Sequence, residues 1–456
     1  MAKKKQIELT IEEKLQNALV PKEEQPYKIP SNWCWSYWKY CGKFIAGNGF
    51  KNIYQGFTQY DIPYYKVGSL KFCDEGNYLI DETNTINEEI RTKLKAVKIP
   101  VNSIIFAKIG EAIKLNRRCL NKIECCIDNN LMAFISEKYF YKYIFYWTKS
   151  LNFYELTNAT TVPALRKTDL ENIPIPLPPL NEQQRIVNRI ESLFAKLDRA
   201  KELIENTLAQ FEQNKMAILH KAFTGELTAK WRKENNIDLS SWQEKTIDEL
   251  CTSLKYGTSK KSKPEGSVVV LRMGNLQNGE IDWSNLMYTD DKDDIEKYLL
   301  KKGDVLFNRI NSPELVGKTS IYRGEYPAIY AGYLIKLDYG KDIIGEYLNY
   351  MMNSTKAKHY CYTVKTDGVS QSNINAKKIG AFEIPVPTIE EQQEIVNILD
   401  KLLAKYNKIK NLEQQLEKIE LLKKAILAKA FRGELGTNNP DEESAENLLK
   451  EILAEK

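Results

Sequence analysis

Two clusters of basic and amide side chains, one in each half of the chain, are the residues whose types and spacing could do chemistry. The first holds Lys108, Lys114, Asn116, Arg117 and Arg118, and the second holds Asn308, Arg309, Asn311, Ser312 and Lys318. An arginine fork matches the two acceptors on the major-groove edge of guanine, an asparagine amide matches adenine, and a lysine ammonium meets phosphate. Two shorter polar stretches follow: Thr160, Thr161, Arg166 and Lys167 in the first half, and Ser370, Gln371, Ser372 and Asn373 in the second. The chemistry these types support is contact with duplex DNA rather than bond making. Taken singly, each basic residue is equally explained as a solvated surface charge, because Lys and Arg are exposed by default. The polar stretches would serve equally well to cap the start of a helix.

Catalytic groups are sparse. The histidines, His220 and His359, lack the Ser, Cys or acidic company that a hydrolytic centre needs. Gly47-Asn48-Gly49 is a lone G-x-G with no helix signal after it, so a turn explains it better than a nucleotide loop, and no P-loop occurs. Leu177-Pro178-Pro179-Leu180 has paired prolines but neither the Asn nor the aromatic of the adenine-methyltransferase motif. The 8 cysteines show no CxxC spacing, which argues against a zinc site or a disulfide framework and for a reducing cytoplasm. No apolar signal core or membrane-length run is present, so no membrane partner is expected. The net charge is only +5, but residues 27–170 carry about +7 and the tail from Glu390 about −3, which favours a polyanion partner for the globular parts.

What must position these clusters is a long stretch written twice, over residues 176–227 and 385–435. Neither helical part contains an internal Gly or Pro, so each can run as one helix of about 40 residues, about 60 Å long. Asn181 and Thr388 are placed to act as N-caps, with Gln184 and Glu391 three residues on. Ile190, Leu197, Ile204, Phe211 and Ile218 follow a heptad, flanked by Ile186, Leu193 and Ala200 at the other core position. The second copy gives Leu399, Tyr406, Leu412, Ile419 and Ile426, with one residue lost between Tyr406 and Leu412. Two such stripes predict helices packed on each other as a coiled coil.

Before each helix lies a segment of mixed strands and helices. Strands are expected at 62–67, 103–109, 268–273, 305–310 and 329–337, helices at 139–147 and 344–352, and a short amphipathic helix at 7–19. The aromatic run at 139–147 is expected in a core rather than as a base-stacking platform. The two segments are in register: Trp33 and Trp242 stand at the same offset as Glu182 and Glu391, and Leu170 and Ile379 keep it. The chain is therefore a tandem of domain plus helix, with α+β heads and an internal repeat. The expected divisions are an N-terminal arm (1–26), a first head (27–175), a central helix region (176–232), a second head (233–384), a distal helix region (385–435) and a C-terminal tail (436–456). Antiparallel helices would relate the heads by a pseudo-twofold axis.

The sequence resembles the specificity subunits of type I restriction-modification systems. The resemblance rests on Pro176 to Leu180 leading into Glu182-Gln183-Gln184-Arg185-Ile186-Val187, on Lys221-Ala222-Phe223-Thr224-Gly225-Glu226-Leu227, and on their second copies. Those copies are Ile384-Pro385-Val386-Pro387, Glu391-Gln392-Gln393-Glu394-Ile395-Val396 and Lys429-Ala430-Phe431-Arg432-Gly433-Glu434-Leu435. It implies two target-recognition domains, each reading half of a split site on double-stranded DNA, joined by conserved helices. It further implies that two methyltransferase subunits dock on the frame and supply S-adenosylmethionine and adenine N6 chemistry. It admits restriction subunits that use ATP and Mg, and leaves this chain with no cofactor of its own. Two alternatives belong to other classes: a coiled-coil adaptor whose heads bind proteins, which weak salt dependence would reveal, and a fused methyltransferase or nuclease, which methyl transfer by the chain alone would reveal.

Overall fold

A computed structural model describes residues 9–136, 141–157, 162–404 and 409–455. The chain divides into two compact units, Met1–Glu202 with Gln415–Lys456, and Leu203–Gln414, so the boundary falls inside the first long helix.

The first head is built on a four-stranded antiparallel sheet. Its spatial order is Gly42–Ala46, Leu131–Ser136, Ile104–Ala107, Arg118–Leu120. Ile104–Ala107 is apolar throughout and buried on both faces, which fits a central strand covered on both sides. A second, three-stranded sheet sets Ile62–Tyr65 between an antiparallel neighbour, Thr85–Ile86, and a parallel one, Cys126–Ile127. A two-stranded ladder pairs Cys34–Tyr37 with Pro174–Leu177 and so ties the start of the head to its end. Trp38, fully buried, anchors the core, with the rings of Phe44, Phe134 and Trp147 4.6, 5.0 and 5.0 Å away. Helix Tyr141–Ser150 buries Tyr143, Phe145 and Trp147 in that core, so this part of the aromatic run packs inward; Tyr139 lies outside the described residues.

The second head repeats this plan strand for strand. Its four-stranded sheet runs Cys251–Tyr256, Leu334–Tyr339, Val305–Asn308, Thr319–Ile321, and its three-stranded sheet sets Val268–Leu271 between antiparallel Tyr288–Thr289 and parallel Ala328–Tyr330. The closing ladder pairs Gln243–Thr246 with Glu383–Val386. The single strand expected over 329–337 is two strands in different sheets, parted at residues 331–333.

The first long helix is Leu180–Phe223, 44 residues without a break. Asn181 lies inside it rather than at its cap, because the Gln183 amide N–H already bonds the Pro179 carbonyl. Thr388 does cap its helix, accepting from the Glu391 amide at 3.4 Å. The second copy comprises Ile389–Ala404 and Ile409–Ala430; Tyr406, and with it part of the one-residue deletion, lies outside the described residues.

None of the described seam residues is exposed. Ile190, Leu399 and Ile419 are buried, while Leu197, Ile204, Phe211, Ile218, Leu412 and Ile426 are half-buried. Within the first unit the two helical stretches run antiparallel, since Asp198 pairs with Lys423 at 2.5 Å and Lys201 with Glu420 at 3.9 Å. Part of the stripe there seats the first helix on the head: Ile186 and Ile190 share one core with Val187, Leu427, Phe431, Tyr143 and Phe145. In the second unit Ile395, Val396 and Leu399 do the same beside Phe307, Tyr347 and Met351. The N-terminal helix Ile11–Ala18 is not a free lead, because Leu15 and Ala18 are buried with Leu449, Ile452 and Leu453 of the C-terminal helix Ala445–Ala454.

The repeated Glu-Gln-Gln motif performs the same three tasks in both units. Glu182 accepts from the Trp33 indole at 2.8 Å and Glu391 from Trp242 at 2.9 Å. Gln183 and Gln392 reach back to the carbonyls of Pro178 and Pro387 at 3.0 and 2.9 Å. Gln184 and Gln393 bond Asn188 and Asn397 one turn on, at 2.7 and 3.2 Å. A buried carboxylate and a buried amide thus lock each head to the first turn of its helix.

Candidate nucleic-acid interface

In each head a short backbone ladder brings the two sequence clusters together. In the first, the Leu165 amide donates to the Lys108 carbonyl at 2.8 Å and Ile109 bridges Ala164. In the second, the Ile374 amide donates to the Arg309 carbonyl at 2.9 Å and Ile310 pairs with Asn373. The pairing is equivalent, an isolated bridge in the first head and a ladder in the second, while the side chains around it differ.

In the first head Arg117, Arg166 and Lys167 are exposed and Lys108 is half-buried. Lys167 pairs with Glu171 at 3.5 Å, and Lys114, also exposed, pairs with Glu111 at 2.6 Å and lies over the Tyr154 ring. Thr161 and Thr160 lie outside the described residues. Two expected contacts are committed inward. Arg118 is 3% exposed, donates to the carbonyls of Asn116 and Leu151 at 2.5 and 2.8 Å, and stacks 3.7 Å from the Phe153 ring centroid. Burial pulls its pKa down to about 9. Asn116 adopts a left-handed turn (φ 52°), donates to Leu151 and accepts from the Phe153 amide, so its amide is used within the fold. Neither can reach a base without opening the head.

In the second head Asn308 is likewise fully buried, its carbonyl oxygen taken by the Ile310 amide. Lys318 bonds Gln277 at 2.8 Å. Arg309 is half-buried but its guanidinium is loosely held, at 3.4 Å from the Gly332 carbonyl and 3.3 Å from Asn373 Oδ1. It lies over the Tyr256 ring, 4.8 Å from the centroid. Half-buried Asn311 and Asn373 lie on the same ladder, half-buried Ser312 follows it, and exposed Ser370 and Gln371 lie on the hairpin that extends from it. An arginine flanked by amides and hydroxyls on one ladder is an arrangement that can read base edges.

Tyr256 is the residue that sequence reasoning missed. Its ring supports Arg309 and its hydroxyl accepts from the Ala376 amide at 2.9 Å, which ties the two clusters to the sheet edge. It lies far from both clusters in sequence, so no local signal marks it. Among the described residues no group of His, Cys, Asp and Glu could hold a metal ion, and no helix is long and apolar enough to cross a membrane.

The chain matches the family model of the type I restriction modification DNA specificity domain twice, over residues 52–210 and 240–421. It is 30% identical over 317 residues to the type I restriction enzyme EcoKI specificity subunit of Escherichia coli (strain K12), covering 66% of this chain and 68% of that one. It is 29% identical over 335 residues to the StySPI specificity subunit of Salmonella potsdam, covering 69% and 71%. A chain from a solved structure concerned with complex assembly and conformational transition of the type I R-M system superposes with a TM-score of 0.66 at 19% identity, over 90% of this chain and 100% of that one. That last likeness is one of fold.

Proposed function

This chain belongs to the type I restriction-modification DNA specificity family, and on that premise we propose that each head reads one half of a bipartite DNA site. Recognition of DNA sequence is the family's role; the division of labour between the heads is our inference. It is carried by one observation: two heads with the same strand order join the same two loops by the same ladder, Lys108 to Leu165 and Arg309 to Ile374, yet display different side chains there. A shared frame with divergent tips suits two readers of two targets, since phosphate and frame contacts position while base contacts specify.

On this reading the exposed Arg117, Arg166 and Lys167 of the first head, with Lys108, meet phosphate or guanine. In the second head Arg309, Asn311, Ser312, Ser370, Gln371 and Asn373 face the bases. The long helices dock two methyltransferase subunits, hold the heads at a set separation and admit restriction subunits. S-adenosylmethionine, ATP and Mg belong to those partners. The chain itself is the recognition component and carries out no methyl transfer.

The test is to sequence modified adenines in cells expressing the chain with its methyltransferase subunits, then exchange residues 243–384 for the corresponding head of a relative. The expected result is a two-part motif in which only one part changes. A motif that changes in both parts, or a continuous one, would refute the division.

A further inference from the structure

The hairpin that carries Ser370 and Gln371 ends in a residue out of character with the rest of it. Thr366 pairs with Asn373 and Asp367 with Ser372, and the Gly368 amide bonds the Gln371 carbonyl at 2.8 Å, which leaves Val369 and Ser370 at the tip. Val369 is fully exposed (110%), while Thr366, Asp367, Ser370 and Gln371 around it are exposed and polar. An apolar side chain in such a setting contributes nothing to the core.

The hairpin is anchored at its base. Its inner strand continues the ladder to Ile310 and Asn311, Ser372 is buried and donates to Asp367, and Lys365 pairs with Asp367 at 2.6 Å. Lys378 donates to Thr366 Oγ1 at 2.7 Å. Val369 is therefore held out from the same ladder that presents Arg309 and Asn373, beside groups suited to base edges.

We propose that Val369 is a wedge that enters between two stacked base pairs of the half-site bound by the second head and unstacks them. The inference rests on the reading that this head binds duplex DNA. Proteins that bind the minor groove frequently insert an apolar side chain between base steps, partly unstacking and kinking the duplex, while polar side chains read the groove. A hairpin anchored in the ladder suits this, because a wedge on an unanchored loop would lose in ordering entropy what it gained in contact. Flexible pyrimidine–purine steps should be preferred at that position.

The test uses the full chain assembled with its methyltransferase subunits, on duplexes carrying the cognate site. 2-Aminopurine is placed in turn across the second half-site, at positions other than the methylated adenine. Binding of the native complex should brighten the probe severalfold at one step. V369S should abolish that signal, weaken cognate binding about tenfold and leave the salt dependence unchanged, since no phosphate contact is lost. V369L should keep both signal and affinity. Because the tip touches no core, these substitutions act on the bound state and not on folding.

The wedge is overturned if V369S keeps the signal and the affinity, or if the native complex brightens the probe nowhere in a half-site it binds. It is overturned too if replacing one thymine by uracil weakens the native complex as much as V369S does without any unstacking signal, because Val369 would then read a methyl group. A native complex with no sequence preference at all would instead sink the reading of the head as a DNA reader, and that result appears before any Val369 variant is compared.

Discussion

Glu391 accepts the guanidinium of Arg232 at 2.5 Å, with the two side chains 0% and 9% exposed, so the carboxylate that locks the second head to its helix is neutralised inside the protein. The Thr228 hydroxyl and the Trp242 indole complete its shell. Its counterpart Glu182, equally buried, accepts from the Trp33 indole and from Asn438 and Thr437, all neutral donors. The two locks share geometry and differ in charge balance.

Removing the charge should therefore act in opposite directions. Glu391→Gln leaves Arg232 buried without a counter-charge and should cost about 3–5 kcal/mol. Glu182→Gln keeps an acceptor for Trp33 and Asn438 while lifting the cost of burying a carboxylate. It should leave the chain at least as stable at neutral pH. Urea denaturation of both variants checks this, and equal losses would mean that the charges do not matter.

The pH dependence of Glu182 follows from the same burial, which raises its carboxyl above the ordinary value of 4.5. A folded state that holds the proton more tightly than the unfolded chain gains stability below that ordinary value and loses it as pH rises through the folded one. Glu182→Gln should abolish that loss, so the difference between variant and native protein should grow from pH 4.5 upward and then level off. A pH-independent difference would contradict the burial argument.

Arg309 and Arg118 should separate recognition from stability. Arg309→Ala should weaken or relax recognition of the second half-site by about 1–3 kcal/mol and leave the first half-site untouched. Arg118→Ala removes two buried donors and a stacked ring partner, so it should cost about 2–4 kcal/mol of stability without altering sequence preference. Binding to single-base variants and denaturation, measured on both proteins, distinguish the two. Equal loss on all sequences for Arg309→Ala would mark it as a phosphate contact.

If the helices set the separation of the half-sites, lengthening them should lengthen the unread spacer. Four residues inserted near Glu205, with a matching insertion in the second copy, add about 6 Å and shift the phase by about 40°. Duplex DNA rises about 3.4 Å per base pair, so the preferred spacer should grow by one or two base pairs with both half-sites unchanged. Selection from a random-spacer library gives the answer. An unchanged preference at full affinity would reduce the helices to a tether.

The duplication, the length of the first long helix and the α+β character of the heads were legible in the sequence, because each rests on local periodicity or on repetition at a fixed offset. The Glu-Gln-Gln motif was visible as a motif, but its work was not. Glu182 meets Trp33 and Asn438 from distant parts of the chain, and only the folded backbone brings them within 3 Å.

The interface shows the same limit most sharply. Arg117 and Arg118 are adjacent and chemically identical, yet one is exposed and the other buried. Successive residues entering a strand point to opposite faces, and which face is inside is set by what covers it, here Leu151 and Phe153. Sequence determined that basic and amide groups would cluster twice. The tertiary ladder decided which of them face out, because burial is a property of the neighbours that folding supplies and not of the residue.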